Sequence, residues 1–365
     1  MPAGPGATFD DATFALRDWG VDGRVTPLGG GLINDTFAVD PESGAGARAG
    51  ARAGAGAGFV LQRVHPVFTP RVHENIYAVT TRLVARGIAT PVLVPTTTGA
   101  LWSVQRDGVW RLMTRMPGVA CAAVRSSAQA HAAAALLARF HGALVGLPHA
   151  FVGMRVGVHD TAAHLAALMR AVAEHGGHPL HDDVARLADA IAQGAAALPD
   201  LTSVPEPVVH GDPKLDNILF AGTDAAGECT PLCLVDLDTV GPGPLHLELG
   251  DMWRSWCNLR GEDERQAAFD LGVFEASLLG YASGRTAPGA DEREALVYGL
   301  EWITLELAAR FAADALVERY FGWDPRRFAT RGEHNLVRAR GQWSLARSVR
   351  DRRDELQLIV TAAAR

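Results

Sequence analysis

Cysteine is scarce: four residues in a chain of 365. That is no disulfide scaffold. Cys229 and Cys233 are four apart with no second pair, too little to make a zinc site from spacing. The plain expectation is four reduced thiols. No run of 18 or more uncharged apolar residues occurs, and the most apolar helix-like stretch, 129–147, is broken by His131, Arg139 and His141. A membrane span is therefore not expected. The first residues carry neither a basic nor an apolar region, so no signal peptide is expected and the location reads as cytoplasmic. Positive charge is also short: 34 Lys and Arg against 41 Asp and Glu give a net charge of −7. An acidic chain has no general affinity for nucleic acid, although a local basic pocket for phosphate remains open. No G-x-x-x-x-G-K-[ST] phosphate loop and no G-x-G-x-x-G are present.

What is present is a globular composition, 48% hydrophobic and 21% charged, long enough for about two domains. Residues 1–117 read as mainly antiparallel sheet with one helix. Strand-like runs lie at 25–28, 33–39, 59–64, 91–94, 101–104 and 109–113, with helical spacing from Val72 to Arg86. Residues 44–58 hold only Gly, Ala and two arginines, and read as a flexible insertion at a hairpin tip, alternatively a basic flap over a ligand. After Pro117-Gly118 the pattern turns helical through 128–145, 161–173, 184–198, 266–280, 292–321 and 335–361. Two short β-rich patches, near 208–220 and 231–237, interrupt it. The expected class is α+β: a small antiparallel N-lobe, 1–117, and a larger helical C-lobe, 118–365.

The chemistry concentrates in those patches. Val208 to Phe220 is a polar loop between apolar ends, with Asp212, Lys214 and Asn217 spaced D-x-K-x-x-N. Phosphoryl transfer to a hydroxyl needs a carboxylate to take the proton, a cation near the moving phosphate and an oxygen ligand for Mg²⁺. This loop offers all three. Nineteen residues on, Asp236 ends an apolar strand, as suits a second Mg²⁺ ligand; Asp238 reads as support. A polar turn and an ordinary strand-end acid are the bland alternatives. His175, His178 and His181 read as a solvated loop. Trp253, Trp256 and Trp302 are candidates for a sugar-stacking face.

His210-Gly211-Asp212 with Asn217, followed by Val235-Asp236, resembles the aminoglycoside phosphotransferase and choline kinase superfamily over nearly the whole chain. Within it, Leu61-Gln62-Arg63, Asp236 to Gly243, Gly250-Asp251, Arg310-Phe311 and His334 to Ala339 are most similar to the N-acetylhexosamine 1-kinase type. The resemblance implies a two-lobed protein-kinase-like fold, ATP and Mg²⁺ as cofactors, and a small-molecule acceptor. That acceptor would be a sugar phosphorylated at its anomeric hydroxyl. An antibiotic kinase and a homoserine- or methylthioribose-type kinase are the alternatives. The resemblance further implies Asp212 as base and Lys214 beside the moving phosphoryl group, with Asn217 and Asp236 on Mg²⁺. Arg63 would be the nucleotide-phosphate cation, held by Glu74 on the following helix, with Gln62 pointing the other way. Gly30 and Gly31 would form the first turn over the nucleotide, and the backbone from Met113 to Met116 would meet the adenine. Asp251 would cap the catalytic loop and Arg254, on the same turn, would reach toward the acceptor. Arg310 and Asp314, one helical turn apart, would line the sugar pocket or form a surface pair.

Overall fold

The computed structural model describes residues 7–29, 34–42, 58–155, 157–201, 205–222, 229–284 and 290–363. Gly30, Gly31 and all but the last residue of the 44–58 segment lie outside them.

The chain opens with a short helix, α1 (Phe9–Leu16), which sequence periodicity does not announce. Its start is fixed by a capping box: Thr8 accepts from the Asp11 N–H and the Asp11 carboxylate accepts from Thr8. Strands β1 (Gly23–Pro27), β2 (Asp35–Pro41) and β3 (Phe59–Val64) follow, then helix α2 (Val72–Ala85) and strands β4 (Leu93–Val94), β5 (Ser103–Gln105) and β6 (Gly108–Thr114). Among the described residues these strands form one antiparallel sheet in the order β1-β2-β3-β6-β4, with β5 on β6. Alternation divides it into two faces. Phe59, Leu61, Trp110 and Leu112 pack with α1 on one. Val64 on the other joins α2 and the helices beyond in a second core. That core runs unbroken from Ile76 and Val79 of α2 into the larger part, so the two parts share apolar burial.

The larger part begins at β7 (Val119–Ala120) and continues with α3 (Ser127–Leu144), α4 (Thr161–Glu174) and α5 (His181–Ala196). Two small antiparallel ladders come next: β8 (Val208–Val209), β9 (Ile218–Phe220), β10 (Pro231–Leu234) and β11 (Gly241–Pro242). β10 pairs with β9, which pairs with β7, and β11 pairs with β8. Helices α6 (Leu245–Trp256), α7 (Leu271–Gly284), α8 (Ala290–Val317), α9 (Arg331–Arg350) and α10 (Arg353–Ala363) complete the chain. The expected α+β class and kinase-like architecture hold. The N-terminal part has two helices instead of one, and the run expected over 335–361 is broken near Asp351.

Helix α6 is absent from the sequence reading. Its opening, Leu245-His246-Leu247-Glu248-Leu249, alternates like a strand. It is nevertheless a helix, with Glu248, Asp251, Arg254 and Ser255 gathered on one side; Glu248 is buried and the other three are half-buried. It crosses α8 with glycine on both sides. A Cβ on Gly250 would stand 2.5 Å from the Gly299 carbonyl oxygen, and one on Gly299 would overlap the His246 carbonyl oxygen. The close approach sets how deep α6 sits, and α6 carries Glu248 and Asp251 beneath the catalytic loop. Gly299→Ala forces the helices apart at a cost of about 1–3 kcal/mol, as overpacking does. Urea unfolding is expected to give a lower midpoint with unchanged slope.

Candidate active site

The polar loop runs from β8 to β9 and the second motif from β10 to β11. The ladder places Ile218 opposite Leu234, and the Val235 N–H donates to the Asn217 carbonyl. Asn217 and Asp236 are thereby brought to one mouth. Asp236 has a left-handed backbone, φ 63°, unusual outside glycine.

The loop itself is held from below by one carboxylate. Glu248 Oε1 accepts from the His210 N–H at 3.0 Å and from His141 Nε2 at 3.1 Å, and Oε2 accepts from the Gly211 N–H at 2.8 Å. Glu248 is buried, and burial alone would raise its pKa. The His141 hydrogen bond and the surrounding charges overcome that and hold it below the ordinary glutamate value. The His210 ring links the two motifs: Nε2 donates to the Val235 carbonyl at 2.9 Å and Nδ1 accepts from the Asp212 N–H at 3.3 Å. Gly211 turns with φ +83°, and a Cβ there would meet the Thr239 carbonyl at 2.6 Å. Trp256 Nε1 donates to the Pro213 carbonyl at 3.1 Å. Sequence reasoning assigns the support of this loop to Asp251. The structure corrects this to Glu248, one turn earlier. Asp251 instead pairs with Arg254 at 2.7 Å, and Arg254 is spent on Asp251 and Glu262.

Asp212 Oδ2 accepts from Lys214 Nζ at 2.8 Å and from Asn217 Nδ2 at 3.0 Å. Burial would depress the Lys214 pKa, but Asp212, with Asp236 and Asp251 nearby, raises it, so the ammonium is retained. Asn217 Nδ2 also donates to the Asp212 carbonyl at 2.9 Å. With the amide nitrogen committed twice, the amide oxygen is what remains for a cation. Asp236 has an exposed surface, yet the protein around it crowds its carboxylate. Its pKa is raised by that desolvation and by the charge of Asp238. A carboxylate repelled in this way, beside a free amide oxygen, is the donor set a divalent cation relieves.

The cation expected on β3 stands elsewhere. Arg63 shares a face with Phe59 and Leu61, where its Nη2 lies 2.7 Å from Asp35 Oδ2 and its Nη1 3.7 Å from Asp107. It thus points to the α1 side of the sheet, away from Asp236. Glu74 does not hold it: that carboxylate pairs with Arg71 at 2.9 Å on the solvent side of α2. The other face carries Gln62 and, opposite it on β6, Arg111. Arg111 Nε donates to Gln62 Oε1 at 2.9 Å, and its two Nη atoms grip Asp238 across the lobes. Nothing in a single strand's alternation says which face looks into the cleft.

Met113 lies on β6 opposite Val60 and Leu93, and Met116 is buried just past its end. The chain crosses there from the sheet to β7. Asp314 closes the end of α8, accepting from the backbone N–H groups of Arg319, Tyr320 and Phe321 and from Asn335 Nδ2, all at 2.9 Å. Arg310 packs over the Tyr320 and Phe321 rings. The two therefore form neither an ion pair with each other nor part of the described lining of the cavity below. His175 bonds the Ala171 carbonyl at the end of α4 and His181 the adjacent Asp182, while His178 reaches across to Glu318 just past α8.

A cavity of about 780 Å³ opens beside Gly211 and Pro213, on the helical side of the loop. Its wall includes Met154, His159, His246, Asp251 and Trp302. The segment leading into that wall is tied to α2: Asn75 Nδ2 donates to the Val152 carbonyl at 2.8 Å, and Asn75 Oδ1 accepts from the Val152 N–H at 3.0 Å.

A sequence profile of the phosphotransferase enzyme family matches residues 24–286. The chain belongs to that family and is a small-molecule kinase. Its fold is similar to an aminoglycoside phosphotransferase from Alicyclobacillus acidocaldarius, with a TM-score of 0.60 and 14% identity over 94% of this chain and 96% of that one. A microcompartment-associated aminopropanol kinase gives 0.61 and 17%, covering 95% and 98%. An amicoumacin kinase solved with AMP-PNP and Ca²⁺ gives 0.58 and 14%, covering 90% and 88%.

The Glu248 cradle makes a pH prediction. Its folded pKa is depressed, so the stability it contributes is full above the unfolded value near 4.5 and is lost as pH falls through the folded value. Removing the charge by Glu248→Gln is expected to destabilise the protein at pH 7. It should also flatten the loss of stability below about pH 4.5, measured by denaturant titration across pH.

Proposed function

We propose that the protein transfers the γ-phosphoryl group of ATP, with Mg²⁺, to a hydroxyl of an uncharged, polyhydroxylated acceptor. A sugar of the N-acetylhexosamine type, phosphorylated at the anomeric hydroxyl, is the favoured case. MgATP, bound by Asn217 and Asp236, would supply the phosphoryl group and the positive charge that offsets its transfer. Asp212 receives the acceptor's proton. Lys214 and Asn217 both occupy its Oδ2, which leaves Oδ1 for the hydroxyl. Lys214, kept charged by its carboxylate neighbours, lies where negative charge gathers.

One observation carries the acceptor class. The cavity beside the loop is lined by His246 and Trp302, and each buries a ring nitrogen, His246 Nδ1 and Trp302 Nε1, that has no hydrogen-bond partner among the described residues. Burial, with the charge of His159 beside it, takes the His246 pKa down to about 4, so its ring is neutral at pH 7. A neutral imidazole and an indole N–H suit hydroxyl and acyl-amide groups, and an indole gives a sugar ring an apolar face. Of the acids around the cavity, Asp238 holds Arg111, Glu248 holds the loop, Asp251 holds Arg254 and Asp160 caps α4, while Glu206 stands exposed at its edge. A polycationic antibiotic would need such charges free.

ATP consumption measured against N-acetylhexosamines, 2-deoxy sugars, aminoglycosides and amino alcohols tests the reading. Turnover is expected with the first group, and phosphorus NMR should show a sugar 1-phosphate. Phosphate on another carbon refutes the anomeric assignment, and turnover confined to amines refutes the sugar. Asp212→Asn should bind MgATP normally and lose ~10²–10⁴ in kcat, the usual span for a general base. Trp302→Phe should raise the acceptor KM roughly fivefold, about 1 kcal/mol for one lost hydrogen bond, with the ATP KM unchanged.

A further inference from the structure

Arg111 belongs to the N-terminal sheet and Asp238 to the loop that carries Asp236, and they form a two-pronged ion pair with both partners almost wholly buried, 1% and 6% exposed. Each end is itself pinned. On the sheet side, Gln62 accepts from Arg111 Nε at 2.9 Å and donates to Thr36 Oγ1 at 3.1 Å. On the loop side, Asp238 Oδ2 also accepts from Asn34 Nδ2 at 2.7 Å. Asn34 in turn accepts from the His65 N–H at 2.9 Å. The electrostatic partners of this pair reach into α2 as well. His73 is fully buried and stacked on Trp102, and its pKa falls to about 4 through burial and the Arg111 charge. Strands β2, β3 and β6 and the helix α2 thus converge on one carboxylate, two residues from Asp236.

We propose that Arg111 is a positioning residue for the metal-binding loop. Acting through Asp238, it fixes the left-handed turn at Asp236 against the N-terminal sheet, so that the metal site is complete only when the two lobes are docked. Arg111 does not contact the nucleotide in this account. Both of its Nη groups are engaged by Asp238 and its Nε by Gln62. A guanidinium is required because its fork matches the two carboxylate oxygens, which an ammonium cannot.

The inference rests on the reading of Asn217 and Asp236 as ligands of Mg²⁺, and the experiment separates the two. Calorimetry measures the ADP dissociation constant with Mg²⁺ and with excess EDTA, for wild type and Arg111 variants. If wild-type affinity does not depend on Mg²⁺, the metal reading itself fails. If it does, Arg111→Met should lose at least tenfold in affinity with Mg²⁺ and less than twofold without it. Arg111→Lys should recover only part of the loss. Equal losses in both conditions would make Arg111 a phosphate ligand, and unchanged affinity with Mg²⁺ would make the pair merely structural; either result overturns the proposal. Asp238 left unpaired in the core could unfold the single variant. The double variant Arg111→Met/Asp238→Leu, an apolar replacement of a buried ion pair, therefore serves as a folded control. It should melt near wild type and still lack the Mg²⁺-dependent part of ADP binding, whereas recovery of that part would count against the proposal.

Discussion

A single buried carboxylate holds the catalytic loop in place. Glu248 takes two consecutive backbone N–H groups, those of His210 and Gly211, and a histidine side chain on a third element. A loop that turns through φ +83° and presses against the Thr239 carbonyl cannot satisfy those N–H groups within its own ladder. The acceptor has to come from outside, and a charged one binds more strongly than a neutral one. Everything above depends on the result. With Gly211 anchored, Asp212 emerges at a fixed point, His210 reaches across to Val235, and the two hairpins share one mouth.

Nearly all of the fold can be read from the sequence where elements have one wet and one dry face. Strand β3 and helix α2 fall within a residue of their expected bounds, and the small sheet followed by helices is the α+β arrangement expected. The failures have different causes. Helix α6 is missed because its first five residues, Leu245 to Leu249, alternate as a strand's would. Arg63 is read on the right strand, but alternation gives two faces and no hint of which one looks into the cleft; the packing of α1 on Phe59 and Leu61 decides it. The sequence reading does not find α1 either.

The polar constellation is legible because it is local: Asp212, Lys214 and Asn217 occupy six residues, and an apolar strand ending in Asp236 is a short hop away. Its supports are not legible, because they are distant. Glu248 lies 37 residues from Gly211 and Arg111 lies 127 from Asp238. Nor does the segment around Glu248 point to it: the alternation in Leu-His-Leu-Glu-Leu sets the acid on the face opposite the leucines, where it reads as exposed.

The cavity wall is built differently from the loop beside it. The loop and the Asp236 turn beside it are tied by hydrogen bonds into β8 to β11 and α6. Much of the wall, by contrast, comes from connecting segments: 153–155 and 157–160 between α3 and α4, and 198–201 after α5. The first connector touches the second hairpin through Met154, which lies against Gly241 of β11. On the proposed reading of the cavity as the acceptor site, connector positions other than Met154 are where the acceptor can be changed while the Glu248 cradle keeps its own hydrogen bonds.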